Sequence, residues 1–345
     1  VSWRSPRWYC DGEGEVLHQS PGFASRRTRV RRSFVGTVKT SDSYNPMRPV
    51  FYLATALLLA ACAGMEFNVP PVTQASDGSR HPGRIIWHDL LSDTPEQSRT
   101  FYNELFQWEF EPVDGINYSL IRHRGELIGG MVDQTQLPTS RDVSQWVTVM
   151  SVDDIETVTR QLREAGGTVF TPPASLGDRG TIAVVADPQG AVLALLETRD
   201  GDPPEADDLP PAGRIFWNEL WAGSVDAASR FYRQLFPLQA ETLDLELEGV
   251  EYQVLTSGGR PRAGIRSNPV TTAEPMWVGY LRVESEVALE SILGRVESLG
   301  GQVLLPASAR PAGGKVAVIV GPSGAGIALQ TWEPGQRILQ SRGMP

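Results

Sequence analysis

Gly83-Arg-Ile-Ile-Trp-His-Asp-Leu90 returns 130 residues later as Gly213-Arg-Ile-Phe-Trp-Asn-Glu-Leu220. The correspondence continues outward from this pair. Phe101-Tyr102 matches Phe231-Tyr232, Leu105-Phe106 matches Leu235-Phe236, and Trp146-Val147 matches Trp277-Val278. After a short insertion, Gly166-Gly167 matches Gly300-Gly301, Pro172 matches Pro306, Asp187-Pro188 falls on Gly321-Pro322, and Gly190 falls on Gly324. A repeat of this length describes two similar domains, not a solenoid, whose units are shorter and more numerous. We set the copies at 83–198 and 213–334, joined by a Pro- and Asp-rich linker at 199–212 and followed by a tail at 335–345.

Each copy divides again. In the first, Arg84–Leu91 reads as a strand and Thr94–Phe106 as a helix, with Thr94 as cap and Pro95 in the first turn. Strands follow at Trp108–Val113, Asn117–Arg122 and Leu127–Asp133. The order then recurs: strand Trp146–Val152, helix Asp154–Ala165 closing on Gly166-Gly167, and strands near Thr168–Thr171, Thr181–Ala186 and Ala191–Glu197. The expectation is an α+β fold of four βαβββ modules.

That order, with the Trp-x-acid-Leu strand, the Phe-Tyr pair, the Gly-Gly doublet and Asp187-Pro188-Gln189-Gly190, resembles the vicinal oxygen chelate superfamily of glyoxalases, bleomycin-resistance proteins and extradiol dioxygenases. The resemblance implies tandem glyoxalase-like domains whose paired modules curve their sheets into half-barrels around a cleft. It also implies where a metal would be held. The first ligand position falls on Trp87 and Trp217, and the last-strand position on Ala194 and Ala328. Neither residue type ligates a divalent ion. We therefore expect no metal and no cofactor. Strand alternation places Asp89 beside Trp87 and Glu219 beside Trp217 on the cleft face. His88 should point away, as a structural histidine under the helix layer. His123, in Arg122-His123-Arg124, reads as surface.

The candidate site is thus Trp87, Trp217, Trp146 and Trp277 as ligand-binding indoles, with Asp89 and Glu219 as candidate general bases. An indole wall with a carboxylate suits a flat or cationic organic ligand, and burial beside indole can raise a carboxyl pKa. The competing reading packs the tryptophans as core and pairs the acids with arginines such as Arg84 and Arg214. No Gly-x-Ser-x-Gly elbow is present, and Gly321-Pro-Ser-Gly-Ala-Gly326 lacks the Lys-Ser/Thr of a P-loop.

Upstream, the chemistry changes. Val50–Ala61 is uncharged and mostly apolar, follows Met47-Arg48, and ends in Leu59-Ala60-Ala61-Cys62. Twelve residues suit a signal-peptide core better than a membrane span. The run resembles a bacterial lipoprotein signal, here 47–61, which implies lipid on Cys62. Residues 1–46 then read as a leader ahead of the natural initiator, without packed structure, the alternative being a genuine basic extension. Ala63, rather than Asp, after the cysteine resembles the outer-membrane signal, in the cell envelope facing the periplasm. Residues 62–82 read as a flexible tether. The net charge of −10 over 345 residues leaves nucleic acid without a basic face to bind, and two cysteines exclude a disulfide framework. The expected partners are a small organic ligand and, through the lipid, a membrane.

Overall fold

The computed structural model describes residues 68–332, apart from 138–142, 207, 244–250, 271 and 311–312. The leader, the signal-like run, Cys62 and the C-terminal tail lie outside the described residues.

The first copy runs β1 (Ile85–Ser92), α1 (Pro95–Phe106), β2 (Trp108–Pro112), β3 (Tyr118–His123), β4 (Glu126–Asp133), β5 (Gln145–Ser151), α2 (Ile155–Glu164), β6 (Thr168–Ser175), β7 (Gly180–Ala186) and β8 (Val192–Thr198). The second runs β9 (Ile215–Ala222), α3 (Val225–Leu235), β10 (Gln239–Thr242), β11 (Tyr252–Ser257), β12 (Arg260–Ser267), β13 (Met276–Val283), α4 (Glu286–Val296), β14 (Gln302–Ala309), β15 (Lys315–Val320) and β16 (Gly326–Thr331). Each copy makes one eight-stranded sheet, ordered β2-β3-β4-β1-β5-β8-β7-β6 and β10-β11-β12-β9-β13-β16-β15-β14. Within a module the first and last strands pair parallel, and the two modules meet antiparallel at β1–β5 and β9–β13. The α+β architecture of four βαβββ modules is the one expected.

Local sequence explains the helix ends. The side chains of Asp154, Ser224 and Ser285 accept from the backbone N–H three residues on, satisfying a donor with no intrahelical partner. Thr94 stands at the start of α1 as expected but makes no capping bond; Ser92 Oγ instead accepts from Thr94 N and meets Ser98 Oγ. The Gly-Gly doublets divide their labour. Gly166 takes φ +90° past the end of α2, while a Cβ on Gly167 would stand 2.8 Å from the Ala186 carbonyl.

The cores are shared between the copies. One cluster joins Phe101, Tyr102 and Leu105 of α1 to Leu289 and Val296 of α4 and Ile319 of β15. The other joins Leu162 of α2 to Phe231, Tyr232 and Leu235 of α3 and Ile265 of β12. Each fully buried large side chain contributes about 1.5–3 kcal/mol, and both clusters draw such side chains from the two copies. His88 and Asn218, equivalent in the two copies, bond to each other, Nε2 to Oδ1 at 2.7 Å. His88 thus faces the other copy, and its partner is a strand residue, not a helix. His123 is also buried, at 2 % exposure, with its ring against Gly213, which corrects the surface reading.

The flexible-tether reading needs revision over the described residues as well. Residues 68–82 pack on the first copy. Val69 and Val72 are buried, Val69 N donates to the Leu176 carbonyl at 3.0 Å, and Arg80 Nε donates to the Thr198 carbonyl at 2.9 Å. In the linker, Asp202 is 1 % exposed and accepts from His81 N and Thr198 Oγ1. Arg84 donates to the carbonyls of Pro203 and Pro204. Composition reported low hydrophobicity here, but these backbone groups are satisfied by the folded copy.

Candidate functional site

The face of each sheet opposite the shared cores is lined by its own apolar cluster. In the first copy this includes Trp87, Val147, Val149, Ile182, Val184, Ala194 and Leu196. In the second it includes Trp217, Trp221, Tyr252, Val278, Tyr280 and Ala328. Strand register puts Trp87, Val149 and Ala194 side by side across three strands, and likewise Trp217, Tyr280 and Ala328. The positions that the resemblance singles out for metal ligands are therefore neighbours, and the residues on them do not fit a divalent ion. Among the described residues no three His, Cys, Asp or Glu side chains converge.

Asp89 and Glu219 share this face with Trp87 and Trp217, as alternation required. Tyr118 OH donates to Asp89 Oδ1 at 2.5 Å, and Trp87 Nε1 donates to the same oxygen at 2.8 Å. In the second copy Tyr252 OH donates to Glu219 Oε1 at 2.7 Å, Tyr280 OH donates to Oε2, and Arg310 donates to Oε1. Glycine makes both pairings possible. A Cβ on Gly130 would lie 1.8 Å from the Tyr118 hydroxyl and 2.5 Å from Asp89 Oδ1; one on Gly264 would lie 2.3 Å from the Tyr252 hydroxyl.

Two arginines complete the clusters. Arg310, in the β14–β15 hairpin, lies 4.7 Å over the Tyr280 ring and also donates to Gln330 Oε1. Arg179, in the β6–β7 hairpin, lies 4.6 Å over Trp87 and donates to Tyr118 OH at 2.6 Å. Arg310 pairs with Glu219 where Arg214 was the expected candidate, while Arg179 reaches Tyr118 rather than Asp89; Arg214 donates instead to the His123 carbonyl.

Electrostatics separate the copies. Glu219 is fully buried. Burial alone would raise its pKa, but Arg310 and the hydroxyls of Tyr280 and Tyr252 outweigh it and hold the carboxyl below its ordinary value. Both tyrosines are pushed up, first by burial and then by the Glu219 charge. Both Glu219 oxygens are thus engaged, and this acid pairs with an arginine as the competing reading had it, with Arg310 as the partner. Asp89 is part-exposed, and among the described residues bonds are made only to its Oδ1.

Trp146 and Trp277 do not belong to this face, which corrects their reading as ligand-binding residues. They lie directly opposite Leu90 and Leu220, so they point into the shared cores. Their Nε1 atoms donate to Tyr102 OH at 2.9 Å and Tyr232 OH at 3.0 Å. The sequence reading also missed Tyr118, Tyr252, Tyr280, Arg179 and Arg310. A signal existed for two of them: Tyr118 and Tyr252 each precede the space-making glycine by twelve residues.

No protein-family model matches the chain. It is 26% identical over 258 residues to the protein named "Putative glyoxylase CFP32" in Mycobacterium bovis and Mycobacterium tuberculosis, covering 74% of this chain and 97% of theirs. It is 28% identical over 263 residues to the anthracycline biosynthesis protein DnrV of Streptomyces peucetius, covering 72% and 93%. Among solved structures, the Mn(II)-bound glyoxalase of Novosphingobium aromaticivorans superposes with a TM-score of 0.52 at 13% identity, covering 73% of this chain and 82% of that one. The chain has the tandem vicinal oxygen chelate fold. Measured against that fold, Trp87 with Ala194, and Trp217 with Ala328, put no chelating donor on the positions that the resemblance singles out for ligands.

Proposed function

We propose that this chain binds a small organic molecule on the inner face of its first copy, without a metal, and is carried on the cell envelope by lipid at Cys62. One observation supports the first copy over the second: its polar cluster is incomplete. Around Glu219 both carboxylate oxygens are bonded, whereas among the described residues Asp89 Oδ2 has no partner and Arg179 keeps a buried nitrogen without one. A buried donor left unsatisfied, as at Arg179, is costly, and a ligand is one way to satisfy it.

Tryptophan fluorescence against a library of small organic compounds tests this. The expected result is a response to one compound class, weakened by Trp87→Phe and unchanged by Trp217→Phe. Response lost only in the second-copy variant would overturn the assignment. Metal analysis after incubation with Mn, Zn, Ni or Fe salts is expected to show no stoichiometric retention; one ion held per chain would overturn the metal-free reading. For the anchor, incorporation of labelled palmitate should be lost in Cys62→Ser, and equal labelling of both proteins would refute it. A catalytic form of the same site is favoured by the open Asp89 Oδ2 alone, with Asp89 as general base. On that reading Asp89→Asn abolishes turnover of a bound compound while leaving its affinity within a few-fold.

A further inference from the structure

The second copy shows what the first one lacks. There the guanidinium of Arg310 meets a carboxylate, Glu219, and a side-chain amide, Gln330. Arg179 occupies the corresponding hairpin of the first copy and is 3 % exposed. The acid beside it is Asp89, one methylene shorter than Glu219, and it turns to Tyr118 and Trp87 instead. Arg179 has no carboxylate partner among the described residues. Its NH1 donates to Tyr118 OH, its Nε donates to the Pro70 carbonyl at 2.8 Å, and its NH2 is buried with no partner.

Nε and NH2 share one edge of the guanidinium, the edge that takes both oxygens of a carboxylate. Here one prong holds a peptide carbonyl and the other holds nothing. Leaving a buried charged donor unpaired is unfavourable. The strap that supplies the carbonyl is residues 68–72. It is tied by Val69 N to the Leu176 carbonyl and by Asn68 to Asp178, with Val69 and Val72 buried against the copy. Val72 belongs to the same apolar cluster as Leu91, Val149, Val184 and Leu196. The Tyr118 hydroxyl stands between Asp89 and Arg179, and Asp89 is part-exposed, which screens its charge from an incoming anion.

We propose that this edge of Arg179 anchors the carboxylate of a small aryl or branched-alkyl acid, which takes the place of the Pro70 carbonyl and Val72 as residues 68–72 lift away. The assignment rests on the ligand-binding reading above and names the class of ligand. The room required is the room that Pro70 and Val72 fill, and the bond gained at NH2 favours the exchange.

Benzoate is the probe, with benzamide as its neutral isostere, measured on the full chain by calorimetry and tryptophan fluorescence. Benzoate should bind at least about tenfold more tightly than benzamide, since only the anion pairs with both prongs. Val72→Gly, which loosens the strap, should tighten benzoate several-fold, because a larger fraction of molecules is already open. Asp89→Glu supplies from within the carboxylate that the second copy uses, and should weaken benzoate by about tenfold or more with the circular dichroism spectrum unchanged. Benzoate should also speed hydrogen exchange at the Val69 amide. Equal binding of benzoate and benzamide would overturn the carboxylate assignment while leaving the small-molecule reading in place. Benzoate binding insensitive to Asp89→Glu, Arg179→Lys and Val72→Gly would place it elsewhere and overturn the assignment too. Failure of every compound in the library, in wild type and Val72→Gly alike, would overturn both.

Discussion

A single methylene separates Asp89 from Glu219, and two equivalent sites diverge around it. The longer side chain reaches Arg310 and closes an ion pair at 9 % and 0 % side-chain exposure. Such a pair stabilises little against apolar packing of equal volume, but removing one partner strands the other. Glu219→Gln is therefore expected to cost about 3–5 kcal/mol in urea unfolding, with Asp89→Asn costing clearly less because Asp89 is part-exposed. Gly264→Ala should destabilise to a similar degree, because its Cβ would fall on the Tyr252 hydroxyl; an unchanged midpoint would show that Tyr252 can leave. At this scale the sequence was half legible. The repeat and the strand period exposed Trp87, Asp89, Trp217 and Glu219. The arginines come from hairpins with no periodicity of their own, far along the chain from their partners, so nothing local tied Arg179 to Trp87.

Among the elements, the helix starts illustrate how a correct position can carry the wrong role. Thr94 precedes Pro95 as a cap should, yet its hydroxyl is buried and unpartnered, and Ser92 takes the bond to its backbone. Ser285→Ala is expected to cost about 1 kcal/mol through loss of the bond to Ala288 N. Thr94→Val should be close to neutral or stabilising, as an unsatisfied hydroxyl becomes a methyl. Paired thermal melts of the two variants check this contrast. The misassignment of Trp146 and Trp277 has the same origin. Each opens a strand, and which face it presents depends on its register against β1 or β9, a long-range pairing. A shift of one residue moves a side chain to the opposite face, and the Trp-Val spacing is silent on that register.

For the molecule as a whole, the repeat marked the two copies, and the structure adds that their cores are shared. The repeat shows where each module begins, but which helices share a core depends on faces meeting across the boundary. Unfolding should accordingly be one cooperative transition, with β1–β8 and β9–β16 melting together; two separated transitions by calorimetry would contradict the shared cores. Acid should weaken this assembly in a defined window. Burial first, partly offset by the bond to Asn218 and the charge of Asp89, lowers the pKa of His88 from 6.5. Burial, with Arg124 and Arg214 nearby, lowers that of His123. The unfolded chain thus binds more protons below pH 6.5, so stability is full above that value and declines as pH falls through the lowered folded-state values. His88→Gln should flatten part of this decline between pH 7 and 5, as measured by urea titration at each pH.

The interlocking of the copies has a historical corollary. A lone ancestor bearing these faces would have needed a twin, since half of each core belongs to the other molecule. Carried on one polypeptide, that meeting is intramolecular, and the two copies need not be identical. One was then free to answer its own guanidinium with an internal acid, while its sibling could leave that answer to a visitor.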